Sequence, residues 1–251
     1  MNNCNYPEAL NAFPKVRPEL PEKYRRIFHE HYVNNRSSKG IVGRVAHRLE
    51  SWMHLQVAGD IKDIKRPYST LELGAGNLNH LPYEDTEQKY DVVEPYTELY
   101  ELSPDLGQVH RVYQDISEAE GRYDRIISIA TFEHLTHLPA VIARCGLLLN
   151  TGGCLRAAVP AEGSILWKTA YTVSTGLVFF LRYRMSYETL MRHEHINSWK
   201  EIATVLNYFF QDIDSSCLGL SPGFSLYHFY CCQNPRIERC KLFLSREQGG
   251  S

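Results

Sequence analysis

The sequence predicts an α/β protein built on an open, mostly parallel sheet behind an N-terminal helical cap. Three observations carry that reading. After Pro67, short apolar runs alternate with helical stretches, the order of a sheet covered by helices. The run Arg125-Ile126-Ile127-Ser128-Ile129-Ala130 is nearly all apolar, as a parallel strand covered on both faces requires. A glycine turn, Gly74-Ala75-Gly76, follows the first apolar run directly.

The elements follow in order. Leu20-Pro21-Glu22 is a helix start with Pro in the first turn, and Tyr24, Ile27, Phe28, His31 and Tyr32 fall on one face. Asn34 to Gly40 is a polar break. A second helix carries Val42, Val45, Ala46, Leu49, Trp52, Met53 and Gln56 on one stripe and closes at Gly59. Strands are expected at Thr70–Leu73, Asp91–Glu94, Arg111–Tyr113, Asp124–Ile129 and Leu155–Val159, with a helix from Pro139 to Asn150 stopped by Gly152-Gly153. Residues 161–197 break this rhythm as a long aromatic and apolar insertion. Ser198-Trp199-Lys200-Glu201 is a capping box opening a helix with Ile202, Val205, Leu206 and Phe209 buried. Two last strands, Phe210–Ser215 and Leu226–Cys232, flank the turn Leu220-Ser221-Pro222-Gly223. The division is a helical cap at 1–66, a core at 67–240 with a lid at 161–197, and a tail at 241–251.

Composition narrows the function. The chain has 251 residues, 43% of them hydrophobic and 22% charged, which supports a full core and excludes wholesale disorder. A net charge of −2 lacks the basic excess of a general nucleic-acid binder. The seven cysteines are odd in number and form no C-x-x-C pair, so neither a disulfide framework nor a zinc knuckle is expected. The N-terminus has no basic region and no apolar core, which argues against a signal peptide and for a cytoplasmic protein. Lys168 and several small polar residues interrupt Ile165 to Leu181, so no spanning helix is expected there.

The chemistry concentrates in Leu71-Glu72-Leu73-Gly74-Ala75-Gly76-Asn77. Glycines let the backbone approach a ligand without a Cβ in the way, and the turn's N–H groups favour a negative group. Glu94 ends the next strand, where a carboxylate can accept both hydroxyls of a ribose. Asp115 ends the third. A dinucleotide site would carry a third glycine, but Asn79 stands there, and Pro82 cuts the following helix short.

From Tyr68 to Gln233 the chain resembles the class I S-adenosylmethionine-dependent methyltransferases. The resemblance implies a Rossmann-like, mostly parallel sheet with an antiparallel last strand, and S-adenosyl-L-methionine as cofactor. Glu72, Gly74, Ala75 and Gly76 match the turn that holds its methionine part. Glu94, in Val92-Val93-Glu94-Pro95, matches the ribose acid, and Asp115-Ile116 match the adenine pair. Asp124 to Leu135 resembles the fourth strand and the methyl-transfer turn, with Thr131 beside the cofactor. Leu147 to Gly153 matches the helix-to-strand turn, with Asn150-Thr151 departing from the usual Lys-Pro.

An alcohol acceptor must lose a proton, and His134, just past the fourth strand, is the candidate catalytic base, with Glu133 as a weaker one. His31 and Tyr32 in the cap and His195 after the insertion are candidate substrate contacts. His193 and His195 share a face of an extended chain, but no third ligand is evident, so no metal is expected. Parts of the N-terminal region, including Arg17–Tyr24 and Glu50–Val57, resemble methyltransferases of bacterial surface-polysaccharide and sugar pathways. A small molecule or sugar is therefore the expected acceptor. RNA methylation, or a non-catalytic S-adenosylmethionine-binding assembly partner, are the alternatives. Residues 165–184 are expected to be a buried lid, with a homo-oligomeric or membrane-peripheral contact as the other outcome.

Overall fold

The computed structural model describes residues 8–27, 41–65, 67–85 and 87–249. Its strands are β1 Ser69–Leu73, β2 Lys89–Val93, β3 Arg111–Tyr113, β4 Tyr123–Ile129, β5 Leu149–Pro160, β6 Phe210–Ser221 and β7 Phe224–Pro235. They form one seven-stranded sheet in the order β3-β2-β1-β4-β5-β7-β6. From β3 through β5 the pairs are parallel, and β7 runs antiparallel to both β5 and β6. This is the sheet that the sequence predicts. Because β2 and β3 lie on one side of β1 and β4 and β5 on the other, the order in which strands are added reverses between β1 and β4. Ligands of open α/β sheets collect beyond the strand C-termini at such a reversal.

The helices are α1 Ile41–Val57, α2 Leu138–Leu148, α3 Ile165–Tyr171, α4 Leu177–Tyr183, α5 Tyr187–Glu194, α6 Trp199–Phe209 and α7 Ile237–Gly249. Successive strand residues point to opposite faces. Leu71 and Leu73 thus join a core with Ile126, Ile142, Val205 and Phe243, closed by α2, α6 and α7. Val92, Ile127 and Ala158 meet Met53 and Val57 of α1 on the other face. Ser198 and Glu201 form the expected capping box at the start of α6. The expected tail from residue 241 continues the helix α7, which runs to Gly249 with Phe243 buried against the core.

The apolar run of β4 contains a surprise. Arg125 is fully buried and donates to Asp60, to Glu84 at 2.6 Å and to the Val57 carbonyl at 3.2 Å. Arg156, on neighbouring β5, donates to the carbonyls of Gln56 and Val57, each at 2.7 Å. Two cations therefore meet the last carbonyls of α1, which have no partners inside the helix. The lower end of the cap is thus clamped onto the centre of the sheet. Burial raises the pKa of Glu84, but the His80 hydrogen bond and the Arg125 charge outweigh it and hold the carboxyl below its ordinary value.

The insertion consists of α3, a π-helical turn at Thr172–Gly176, α4 and α5. Phe179 is buried among Leu20, Tyr24 and Leu190, which ties α4 to the first N-terminal helical turns. One face of this segment is thus packed against the N-terminal region. The other face leaves Ile165, Leu177, Val178, Phe180 and Leu181 exposed. Among the described residues, no helix is long and apolar enough to cross a membrane.

Candidate active site

The C-terminal ends of β1 to β4 present four short loops along one edge. Leu73 is in register with Val93 of β2 and Ser128 of β4, so the loops that follow these strands start side by side. Gly74 sits at φ +69 and donates its N–H to the Val93 carbonyl at 2.8 Å. A Cβ at Gly74 would collide with the Thr131 side chain, and the backbone there is left-handed, so glycine is required twice over. Gly76 is also left-handed, at φ +54. Its N–H donates to Glu94 Oε2 at 2.8 Å, while Glu94 Oε1 accepts from the Tyr96 N–H at 3.1 Å. The anion that occupies the Gly76 N–H is thus the chain's own. Glu94 is buried and locks the first loop to the second, and each oxygen keeps a free lone pair.

The other expected cofactor contacts distribute around this pair. Ala75 is buried against Leu78 and Tyr90. Thr131 Oγ1 donates toward the Leu73 and Ile129 carbonyls, over Gly74. Asp115 Oδ1 accepts from the Ser117 N–H at 2.7 Å and caps the short turn whose first residue, Ile116, is buried. Glu72 points away from the turn's opening, into the layer beneath α1, and accepts from the Tyr90 hydroxyl at 2.7 Å. Burial raises its pKa above the ordinary value. His31 and Tyr32 lie outside the described residues.

A second cluster adjoins the β4 loop. Ala130, at φ 50, turns the chain sharply, and Phe132 to His134 follow as one short helical turn. Asn197 donates to the Phe132 and Leu135 carbonyls at 2.8 and 2.7 Å, and the N–H groups of Ile196 and Asn197 donate to the Glu133 carbonyl. These bonds bring the end of α5 onto the β4 loop, and with it His195 onto His134. The two imidazoles meet edge to face, with centroids 4.7 Å apart. His134 donates from Nδ1 to the Glu194 carbonyl at 3.0 Å. His195 donates from Nδ1 to Glu162 Oε1 at 2.5 Å, and Trp167 Nε1 donates to the same oxygen at 2.6 Å.

Electrostatics separates the two histidines. Burial and the neighbouring His195 push His134 down to about 3, so it is neutral. Burial also opposes charge on His195, but the Glu162 hydrogen bond and the nearby Glu133 outweigh it and raise its pKa. Burial lifts Glu133 to about 7. A cavity of about 240 Å³ opens beside this cluster, walled by Glu162, Trp167, Tyr171, Met191 and His195. Glu162 had no signal in the sequence, and Trp167 and Tyr171 were legible only as apolar members of the expected lid; folding sets Glu162 against His195 and Trp167 against Glu162. His193, expected to share a face with His195, bonds instead to the Pro18 carbonyl at 2.6 Å.

No family model and no curated protein matches the sequence. Solved structures do match the fold. A SAM-dependent methyltransferase of Thermotoga maritima, described as a possible histamine N-methyltransferase, is 12% identical with a TM-score of 0.52. The match covers 84% of this chain and 97% of that one. The plantazolicin methyltransferase BpumL, solved with a pentazolic desmethylPZN analog and SAH, is 15% identical with a TM-score of 0.55, over 85% and 91% of the two chains. Phosphoethanolamine N-methyltransferase 2 of Haemonchus contortus, solved with S-adenosyl-L-methionine, is 13% identical with a TM-score of 0.51. That match covers 73% of this chain and 52% of the other. The fold is therefore the Rossmann-like class I methyltransferase fold.

Proposed function

We propose that this chain binds S-adenosyl-L-methionine at the edge of β1 to β4 and methylates a hydroxyl of a small molecule or sugar in the adjoining cavity. The observation that carries the reading is the buried Glu94 carboxylate, which joins the Gly76 turn to the end of β2 at the reversal of the sheet. The residues present fit the cofactor. Gly74 and Gly76 keep the turn free of side chains, Glu94 retains acceptor capacity for two ribose hydroxyls, and Asp115 keeps Oδ2 for an adenine amino group, next to the apolar Ile116. Glu72 serves this site through the strand end that it anchors to Tyr90. When bound, the cofactor supplies an already activated sulfonium methyl.

The protein's own work is then to align the acceptor and manage its proton. Trp167 and Tyr171 offer ring faces on which a pyranose can pack, and Glu162 can accept from its hydroxyls. The buried Phe132 helps to exclude water from the β4 loop. His134 holds its Nδ1 proton on the Glu194 carbonyl and so keeps a lone pair on Nε2. With a pKa of about 3 it is a weak proton acceptor at neutral pH, so its lone pair can hold an acceptor hydroxyl, directly or through an ion, but does not by itself take the proton. The names of two structural neighbours specify N-methylation, so amines belong in the acceptor screen beside sugars. Transfer of a labelled methyl group to a panel of sugars, glycans and amines tests the proposal. Transfer to a sugar hydroxyl supports it, and cofactor binding without transfer to any acceptor favours the assembly-partner alternative.

A further inference from the structure

We propose that Glu133, His134 and His195 form a binding site for a divalent first-row metal ion, with an open coordination position facing the cavity. One ligand atom from each of the three residues lies within 4.8 Å of the others. Donors around one four-coordinate ion, at bonds of about 2.0–2.2 Å, stand about 3.3–3.6 Å apart. His134 Nε2 and Glu133 Oε1 are already 3.7 Å apart, and side-chain rotations bring in the rest of the set. Two imidazoles and a carboxylate are the donors of open sites for zinc, manganese or iron(II).

Two further features point to an ion. Glu133 Oε2 is buried and has no hydrogen-bond partner among the described residues. A carboxylate taken out of water with an orphaned oxygen is costly unless a cation meets it. Both histidines also carry the supports that metal-binding imidazoles have. Each donates its Nδ1 proton away from the cluster, His134 to a backbone carbonyl and His195 to Glu162, which Trp167 holds in turn. These bonds fix both ring orientations and turn the two Nε2 atoms toward the ion, His195 releasing its Nε2 proton as the ion binds. Three protein ligands leave a fourth position for a solvent or acceptor oxygen, and His195 and Glu162 line the cavity from which that oxygen would come. An acceptor hydroxyl bound there becomes more acidic and can release its proton to water. This last role rests on the methyltransferase reading; the metal site itself does not.

Chelator-stripped protein titrated with Mn²⁺, with free ion read by electron paramagnetic resonance, tests the site without cofactor or acceptor. One saturable site is expected. Glu133→Gln and His195→Gln should each weaken it tenfold or more, and Glu162→Gln, a positioning residue, by about 10–100-fold. Circular dichroism checks that each variant is folded. In the wild-type protein, Mn²⁺ should broaden the imidazole signals of His134 and His195 before those of His54, His80 or His228, a readout that needs no variant. Co²⁺ should give d–d absorption without a sulfur charge-transfer band. The proposal is overturned by the absence of saturable Mn²⁺ binding, by binding that all three variants retain, or by broadening at other histidines first. S-adenosyl-L-methionine titrated in parallel keeps the two ideas apart. Metal binding with no cofactor binding refutes the methyltransferase reading alone, and the reverse refutes the metal site alone.

Discussion

Replacing Glu94 by Gln separates its structural work from its expected ligand contact. The variant keeps the shape and one oxygen, but removes the charge and sets an NH2 group where the second oxygen stood. Glu94 accepts from Gly76 N–H at 2.8 Å and Tyr96 N–H at 3.1 Å, so one of these buried donors loses its acceptor. Leaving such a donor unpaired costs about 1–3 kcal/mol. For a chain of this size that lowers the melting temperature by roughly 2–4 °C per kcal/mol. Cofactor affinity suffers separately. Loss of charged hydrogen bonds to the ribose costs about 1.5–3 kcal/mol, a rise in Kd of about 10–150-fold. Isothermal titration with S-adenosyl-L-methionine, on protein shown by melting to be folded, reads the second effect. A Kd within threefold of wild type would refute the ribose assignment, whatever the melting temperature does.

Gly74→Ala places a Cβ against Thr131 at a left-handed φ and should lower the melting temperature and abolish cofactor binding; a folded variant with normal affinity would contradict the turn's role. Arg125→Met removes the buried cation shared by Glu84 and Asp60, leaving them with His80 and Arg156, and should cost about 3–5 kcal/mol in urea unfolding. The same network sets a pH dependence. The folded pKa of Glu84 is depressed below its ordinary 4.5, so its contribution is complete above that value and is lost as pH falls through the lowered folded value. Wild type should therefore lose stability relative to Arg125→Met only in acid, and an equal gap at pH 3 and pH 7 would show that the ion pairs contribute nothing. Phe179→Ala should remove about 3–5 kcal/mol of packing and raise hydrogen exchange at residues 20–27 above that of the sheet; unchanged exchange there would separate α4 from the N-terminal turns.

The sheet was legible because buried strands must be apolar and glycine turns must follow them where a ligand approaches. Strand limits near Leu73, Tyr113 and Ile129 agree with the structure for that reason. β5 starts at Leu149 rather than Leu155, because Gly152 and Gly153 lie within a strand instead of ending a helix. Arg125 reads as one exception in an apolar run, and its partners Asp60 and Glu84 lie far away in sequence. Nothing local announces that burial. The insertion resists pattern reading because α3, α4 and α5 are each only seven or eight residues long, too short for a helical period to show. His134 was legible from its place after β4. Its meeting with His195 depends on Asn197 reaching back to the Phe132 and Leu135 carbonyls, a tertiary contact that spacing does not reveal. Asp115, which the sequence resemblance sets at the adenine, caps a turn with one oxygen.

The central claim is that the loops after β1 to β4 bind S-adenosyl-L-methionine. The most direct test titrates the cofactor into ¹⁵N-labelled wild-type protein and follows the amide signals. The account predicts saturable shifts, at one-to-one stoichiometry, concentrated at Gly74 to Asn77, Glu94 to Thr97, Asp115 to Ser117 and Ala130 to His134. Shifts that do not saturate, or that saturate elsewhere while these amides stay still, would contradict it.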